Sequence, residues 1–427
     1  MRLPRLAADL TPLRASRDMR LLVAGTIVSG LGTQATLVAL PYQLYTQTGS
    51  PFLTGLLGAV ELGPLVSMSL LGGALADRHD RRRLLLADQV ALVVTAGLLA
   101  LGAFLGSPPV VVLYVLGGLL AGFAAVQNVL RSAILPNLVA PELVNPAIAL
   151  NFGLTQLTYV VGPGLGGVMI GLAGVGAAYA MQGVTCLAMV AAAAEPSPRP
   201  PVGLDPGAGR PEPVLRSIVE GLRFVRRNNA LLGSFAIDLL AMTFGMPRAL
   251  FAVLAVSVYG AGAEGTGLLY AAVAAGATVA ALMTGWLAHA RRLGRITIWA
   301  VGVWGVAIAV AGLAGSLWVA AGLLAVAGAA DSVSAVCRSA INQSVTPDRL
   351  RGRMSSVFML VVASGPRLGD VEAGSVAALA GVRFSIVSGG LACLAGVGLV
   401  VLAFPALARY DALVQREADL DPQPASV

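Results

Sequence analysis

Lysine is absent from this sequence of 427 residues, and charge of either sign is scarce. Charged residues make up 11% of the chain, whereas an ordinary soluble domain carries about 25%. Hydrophobic residues reach 57% and the mean hydropathy is +0.83, so a soluble protein of this composition would need an exceptionally large core. The composition therefore predicts an all-α protein that crosses a membrane several times.

The lack of lysine and the small number of cysteines and histidines exclude several kinds of site. Without lysine the phosphate-binding loop G-x-x-x-x-G-K-[ST] cannot form, so we expect no nucleotide and no drive by ATP. Cys186, Cys337 and Cys393 lie far apart and match no disulfide or metal spacing. His79 and His289 are close to neither each other nor a cysteine in the sequence. The sequence thus predicts no metal site and no cofactor.

Apolar runs long enough to span a membrane, about 20 residues each, occur in two sets of six. The first set lies near residues 20–45, 52–76, 82–105, 110–130, 144–171 and 175–194. The second set lies near residues 230–256, 265–288, 294–314, 318–341, 354–380 and 384–406. This order predicts twelve transmembrane helices. We expect an N-terminal segment at 1–19, a first six-helix bundle at 20–195, a linker at 196–229, a second six-helix bundle at 230–408 and a tail at 409–427.

The 28 basic residues are all arginine, and they concentrate in every second loop. They cluster before span one, between spans two and three, in the linker, after spans eight and ten, and near the C-terminal end. The loops on the opposite side of the membrane contain almost no arginine, and Arg383 is the exception. Arginine-rich loops stay in the cytoplasm, so both termini and the linker are predicted there. The pattern favours a multi-pass protein of a bacterial cytoplasmic membrane over a nucleic-acid binder. The polar, basic N-terminus predicts no cleavable signal peptide.

The linker ends in an amphipathic stretch, "LRSIVEGLRFVRR". Its apolar residues recur at helical spacing, with arginines on the other side: Leu215, Ile218, Val219, Leu222 and Val225. We interpret it as a helix at the inner membrane surface, and a merely solvated linker is the alternative.

The two halves repeat each other. The sequence "RSAI" occurs at 131–134 and again at 338–341. The stretch "GGALADRHDRRR" of the first half aligns with "TGWLAHARRLGR" of the second half, with Gly73 matched by Gly285. Several matches in the same order indicate duplication of a six-helix unit. Duplicated membrane halves are typical of transporters, whose substrate path runs between the halves.

The stretch after span two resembles the loop motif G-x-L-A-D-R-x-G-R-R of the major facilitator superfamily. The match falls on Gly73, Leu75, Ala76, Asp77, Arg78, Arg81 and Arg82. Asp80 stands where the superfamily has glycine, which adopts a left-handed backbone more freely. Gly73 would permit close helix packing, and the resemblance implies a gate that latches the cytoplasmic side. A simple topology anchor is the alternative.

Span five carries "GPGLGG", which resembles the G-P-x-x-G-G end of a motif found in exporters and antiporters of this superfamily. The matched residues are Gly162, Pro163, Gly166 and Gly167, whereas Ala149 and Thr158 replace the upstream glycines. A helix that merely packs through glycine is the alternative.

Longer stretches, including "IDLLAMTFGMPRALF" and "RFSIVSGGLACLAG", resemble the enterobactin-exporter-like branch of the superfamily. This resemblance covers nearly the whole chain. It implies a major facilitator fold and export. Together with the ionisable residues inside the spans, it leads us to expect export of a small amphipathic molecule, drug-like or a siderophore, by proton antiport with alternating access.

Ionisable residues inside predicted spans are functional candidates because a charge in the membrane costs a few kcal/mol. The proton-coupling candidates are Glu61, Asp238, Asp370 and Glu372, with Arg248 and Arg367 as their charge partners. Structural ion pairs with these arginines are the alternative. Asp88 and Asp331 lie toward the cytoplasmic ends and are interpreted as structural.

Polar residues of spans one and five could line the substrate path: Thr33, Gln34, Gln43, Asn151, Gln156 and Tyr159. No catalytic constellation is visible, so an enzyme is not expected and a membrane enzyme or receptor is a remote alternative. A facilitator or importer that works without a gradient would share the fold and is the nearer alternative.

Overall fold

The computed structural model describes residues 10–76, 78–194, 214–347 and 350–411. These ranges are almost entirely helical. The α-helices of the first half are α1 (Thr11–Ala15), α2 (Arg17–Thr48), α3 (Pro51–Ala76), α4 (Arg81–Leu105), α5 (Val110–Ile134), α6 (Val144–Ala173) and α7 (Val175–Ala194). Those of the second half are α8 (Val214–Arg227), α9 (Asn229–Phe244), α10 (Leu250–Val253), α11 (Gly262–Met283), α12 (Leu293–Leu313), α13 (Leu317–Val345), α14 (Arg351–Ala380), α15 (Val382–Ala403) and α16 (Pro405–Arg409).

Ten helices of the described ranges are long and apolar enough to cross a membrane: α2 to α7, α11 to α13 and α15. The other two predicted spans also fall on helices. The first of them, α9, is apolar but has only 16 residues. The second, α14, has 30 residues and carries Arg367, Asp370 and Glu372. The prediction of a multi-pass helical membrane protein is thus confirmed, and large apolar side chains such as Leu172 lie exposed on these helices, as lipid contact requires.

The span predicted over residues 230–256 is interrupted in the structure. Helix α9 ends at Phe244, and the chain becomes helical again only at Leu250, continuing into one π-helical turn at Leu254–Val258. Pro247 lies in the gap, and proline removes a backbone donor and disfavours helix at the residue before it.

Contacts divide the chain into two compact units, each with its own core. The first contains the described residues of Met1–Ser50, Ala59–Gly209 and Ala255–Ala271, and the second those of Pro51–Gly58, Arg210–Leu254 and Ala272–Val427. In the first unit α2 packs against α6 and α7, and α4 packs against α5 and α7. In the second, α12 packs against α13 and α15, while α9 packs against α14 and α15.

The amphipathic stretch of the linker forms α8, as the spacing predicted. Val225 is buried, while Val219 and Leu222 are each 42% exposed. Within the second unit α8 contacts α14 and α9. Part of its apolar face is therefore used for packing, and the rest remains open to a membrane surface.

Candidate functional site

The arginine motif after α3 begins the next helix. Asp80 is the N-cap of α4: its carboxylate accepts a hydrogen bond from the backbone N–H of Arg82 at 2.9 Å, and its φ is −59°. No left-handed residue is needed at this position, which explains why aspartate can replace glycine here. The superfamily's acid, Asp77, lies outside the described residues.

Two arginines of the motif bind the C-terminal ends of other helices in the first unit. The Arg81 guanidinium donates to the carbonyl of Ala133 at 3.0 Å, and that of Arg82 donates to the carbonyl of Ala193 at 2.9 Å. Helix C-termini carry unpaired carbonyls and partial negative charge, so a cation there is stabilising. This part of the motif fastens α4 to the ends of α5 and α7.

Gly73 and Arg78 behave differently from these two arginines. Arg78 is exposed. Gly73 has no described neighbour within 4 Å of the position that a Cβ atom would take. The close helix packing expected at Gly73 is therefore not seen among the described residues and stays a prediction.

The glycines of α6 lie at two close helix crossings. A Cβ atom on Gly166 would come within 2.6 Å of Ala35 Cα in α2, and one on Gly162 within 2.5 Å of Gln34 Cβ. On another side of α6, a Cβ atom on Gly167 would lie 2.6 Å from the carbonyl oxygen of Ala263. Each distance is shorter than real Cβ contacts, so these positions require glycine for packing.

The predicted path residues of the first unit separate into two groups. Gln43 is 5% exposed and accepts a hydrogen bond from the Tyr179 hydroxyl at 2.7 Å, which gives it a packing role. Gln34 is also buried, and Thr33 donates to a backbone carbonyl of its own helix. Thr33 is partly exposed, as are Asn151 and Gln156 of α6, and Tyr159 of α6 is exposed.

The acids of the first unit are Glu61 and Asp88. Glu61 is partly buried on α3. Asp88 is 5% exposed on α4 and accepts a long hydrogen bond of 3.4 Å from the Gln89 amide. Arg131, the first residue of the "RSAI" repeat, lies near enough to interact with Asp88 electrostatically.

The second unit contains a buried charge cluster that the sequence did not predict. Arg338 of α13 is 5% exposed, and its Nη2 lies 2.8 Å from Asp238 Oδ1 of α9. The same Nη2 lies 3.8 Å from Asp331 Oδ1, and Nη1 donates to Ser334 Oγ at 2.7 Å. Asp238 therefore pairs with Arg338, rather than with Arg248 or Arg367 as expected.

Two signals in the sequence could have revealed this cluster. Asp331, Ser334 and Arg338 follow each other at spacings of three and four residues, which places them on one helix face. Arg338 is also the repeat partner of Arg131. Our interpretation of Asp331 as a simple structural residue near the cytoplasmic end overlooked both signals.

The interruption between α9 and α10 lies beside this cluster. Trp304 Nε1 donates to the carbonyl of Gly245 at 2.8 Å, and the N–H of Ala249 donates to Asp370 Oδ1 at 2.8 Å. These bonds satisfy backbone groups that the break removes from the helix. A small cavity adjoins the break and reaches the Asp331 side chain; its walls include Gly245, Pro247, Phe251, Trp304, Gly328 and Asp331.

The remaining candidates of the second unit surround Asp370. Arg248 and Arg367 are both partly buried and lie within electrostatic range of its carboxylate. Glu372 is partly buried two residues further along α14 and makes no hydrogen bond or ion pair with the described part of the chain. The structure thus brings Asp370 to the helix break and leaves Glu372 apart from it.

A buried charge cluster beside an interrupted helix is an arrangement found in transporters, and comparison with known proteins decides the family. Residues 7–425 match the model of the MFS_3 family, described as transmembrane secretion effectors. The chain belongs to this family. MFS_3 proteins are membrane transporters and not enzymes.

Curated relatives agree with the MFS_3 assignment. The chain is 29% identical over 371 residues to the enterobactin exporter EntS of Citrobacter koseri, covering 86% of this chain and 85% of that protein. It is 30% identical over 349 residues to EntS of Shigella boydii serotype 4, covering 80% and 81%. This MFS_3 chain is thus an enterobactin-exporter-like membrane efflux transporter for a small molecule, and a multi-pass protein of the bacterial inner membrane.

Solved structures confirm a transporter fold for the MFS_3 chain. A bacterial homologue of the human lysosomal transporter Spinster, in an inward-facing and unoccupied conformation, has a TM-score of 0.70 at 15% identity and covers 96% of this chain and 98% of that one. A bacterial homologue of the iron transporter ferroportin, in an inward-facing state, has a TM-score of 0.63 at 19% identity, with coverage of 92% and 98%.

Proposed function

We propose that this transporter exports a siderophore or a drug-like amphipathic compound in exchange for protons that enter the cell, by alternating access. The similarity to enterobactin exporters over 80–86% of the chain carries the proposal for the substrate class. The sequence has no lysine and hence no phosphate-binding loop of its own. An ion gradient is then the available source of energy.

Charged residues inside the helices support proton coupling. Asp238, Asp331 and Arg338 form a buried cluster, and Asp370 and Glu372 lie on a neighbouring helical segment. Placing such groups in a membrane costs a few kcal/mol each and is seldom retained without a function. Groups that can gain and lose a proton as access alternates meet the requirement of an antiporter.

The proposal includes twelve spans with both termini and the linker in the cytoplasm. The arginine pattern of the loops supports this orientation. The ten long apolar helices, together with α9 continued by α10 and with α14, provide the twelve segments. The linker helix α8 then lies at the inner membrane surface.

The test uses inside-out membrane vesicles that contain the transporter, supplied with enterobactin and with an amphipathic dye. We expect accumulation in the lumen when the lumen is acidified, and loss of accumulation when a protonophore removes the gradient. Glu142→Gln changes an exposed acid just before α6 and should leave this accumulation unchanged. If the substrate enters the vesicles equally with and without the proton gradient, the protein is a facilitator and not an antiporter.

A further inference from the structure

One arginine faces two carboxylates in the buried cluster of the second unit. Arg338 supplies a single positive charge, and Asp238 and Asp331 lie 2.8 Å and 3.8 Å from the same nitrogen. With both acids ionised these three residues carry one excess negative charge, which Arg248, within electrostatic range of Asp331, offsets in part. Buried charges are stable only when they are compensated and hydrogen-bonded. One additional positive charge, such as a proton, would balance the cluster.

The two acids are not equivalent. The contact of Asp238 with Arg338 has the length of a charge-assisted hydrogen bond, and the Asp238 side chain is 3% exposed. The contact of Asp331 is too long for a hydrogen bond. The difference between the acids lies in this distance, since Oδ1 of neither acid has a hydrogen bond of good geometry in the described structure. A proton on Asp331 removes the excess charge and leaves the pair of Asp238 and Arg338 intact.

Asp331 is also the acid that a proton can reach. Its side chain is 27% exposed and forms part of the wall of the cavity beside the helix break. That cavity is no larger than about one water molecule and its walls are almost entirely apolar, so the exposed fraction of the side chain, and not a bound water, makes Asp331 accessible. In transporters, interrupted helices commonly form the sites at which ions and substrates bind.

The charged groups around Asp331 are few. Asp238 faces it from α9, Arg338 from its own helix, and Arg248 from the interruption. The cavity walls that α11 and α12 provide carry no titratable side chain, since they consist of Val273, Trp304 and Ile308.

We propose that Asp331 is the residue that binds the coupling proton, a role that our sequence reading gave to other acids. In the loaded state Asp331 is neutral, and Arg338 remains with Asp238. When the proton leaves, Arg338 is shared between the two carboxylates, which strengthens the link between α9 and α13. This inference rests on the proposed antiport.

The direct test of the site does not require transport. Infrared difference spectra of the purified protein, recorded over a pH range above that in which exposed carboxylic acids titrate, report the C=O stretch of a buried carboxylic acid that loses its proton. We expect a band in the parent protein that is absent from Asp331→Asn and kept in Asp370→Asn and Glu372→Gln. A band that survives in Asp331→Asn, or no such band in the parent protein, would overturn the assignment.

Transport assays then show what the site does. Asp331→Asn imitates the loaded state, so we expect substrate exchange without a gradient to continue while accumulation driven by the gradient is lost. Asp331→Glu keeps an ionisable group and should retain coupling with a shifted pH midpoint, which separates protonation from misfolding. If a sodium gradient drives accumulation and Asp331→Asn abolishes that accumulation, the coupling ion at Asp331 is sodium and not a proton. A proton-coupled Asp331→Asn protein would refute the site and leave antiport standing.

Discussion

Arg338 of α13 is a buried cation that faces two carboxylates of the second unit. It is buried, and it holds Asp238 at 2.8 Å while also facing Asp331. Removing one member of a buried charged group leaves its partners uncompensated, which is far more damaging than losing an exposed pair. Arg83 provides the contrast, because its side chain is 88% exposed and 4.0 Å from Asp80.

We predict that Arg338→Met destabilises the protein by about 3–5 kcal/mol, since Asp238 loses its ion-pair partner and Asp331 loses a nearby cation. Arg83→Met should change stability by at most about 1 kcal/mol. Thermal unfolding in detergent measures both. Adding Asp238→Asn to Arg338→Met should recover part of the loss. Equal, small effects of the two arginine substitutions would contradict a buried charge cluster.

Gln43 offers a test of packing against substrate binding. In Tyr179→Phe the Gln43 carbonyl oxygen loses its buried donor, which should cost about 1–3 kcal/mol of stability. If Gln43 only packs α2 against α7, the pattern of accepted substrates stays the same. Transport assays with a panel of substrates check this prediction. A changed pattern of accepted substrates would show that Gln43 lines the substrate path.

Among the helices, the interruption between α9 and α10 is the feature that connects most of the charged groups. Gly245 accepts a hydrogen bond from Trp304, and Ala249 donates one to Asp370. The cavity beside the break is lined in part by Asp331. Asp370 is therefore expected to position the broken helix through its bond to Ala249. Such a role requires an oxygen acceptor and not an ionisable carboxyl group.

Two substitutions of Asp370 separate these roles. Asp370→Asn keeps an acceptor for the Ala249 N–H and should retain coupled transport. Asp370→Ala leaves that N–H without its partner, and we expect a loss of about 1–3 kcal/mol of stability together with reduced transport. Unfolding midpoints and vesicle accumulation measure both effects. If the Asp370→Asn protein is stable but its transport is no longer coupled to protons, Asp370 is a proton carrier and not only a positioning residue.

The crossing of α6 with α2 provides a matched pair of glycine substitutions. A Cβ atom on Gly166 would lie 2.6 Å from Ala35 Cα, whereas one on Gly164 meets nothing within 4 Å. Gly166→Ala should force the helices apart and lower the unfolding midpoint and the yield. Gly164→Ala should leave stability unchanged or raise it by up to about 1 kcal/mol, because alanine favours helix. Similar results for both would show that the crossing is looser than described.

For the protein as a whole, the sequence predicted the fold class much better than the site. Long apolar runs and duplicated motifs depend only on local patterns, so they can be read from the chain. The pair of Asp238 and Arg338 joins residues that are far apart in sequence, and Arg338 stands at the edge of an apolar run like a loop arginine. The helix break was hidden because Pro247 lies within a stretch that is apolar enough over residues 230–256 to be read as one span.

Exchange of substrate for protons is the central claim, and one measurement tests it directly. Proteoliposomes are loaded with enterobactin and a trapped pH-sensitive dye, then diluted into substrate-free medium, with the membrane potential clamped and no other gradient present. We predict that substrate leaves while the lumen becomes acidic, whichever way the transporter is inserted, and that Asp331→Asn liposomes stay at constant pH. Departure of the substrate through the parent protein without acidification of the lumen would contradict proton antiport.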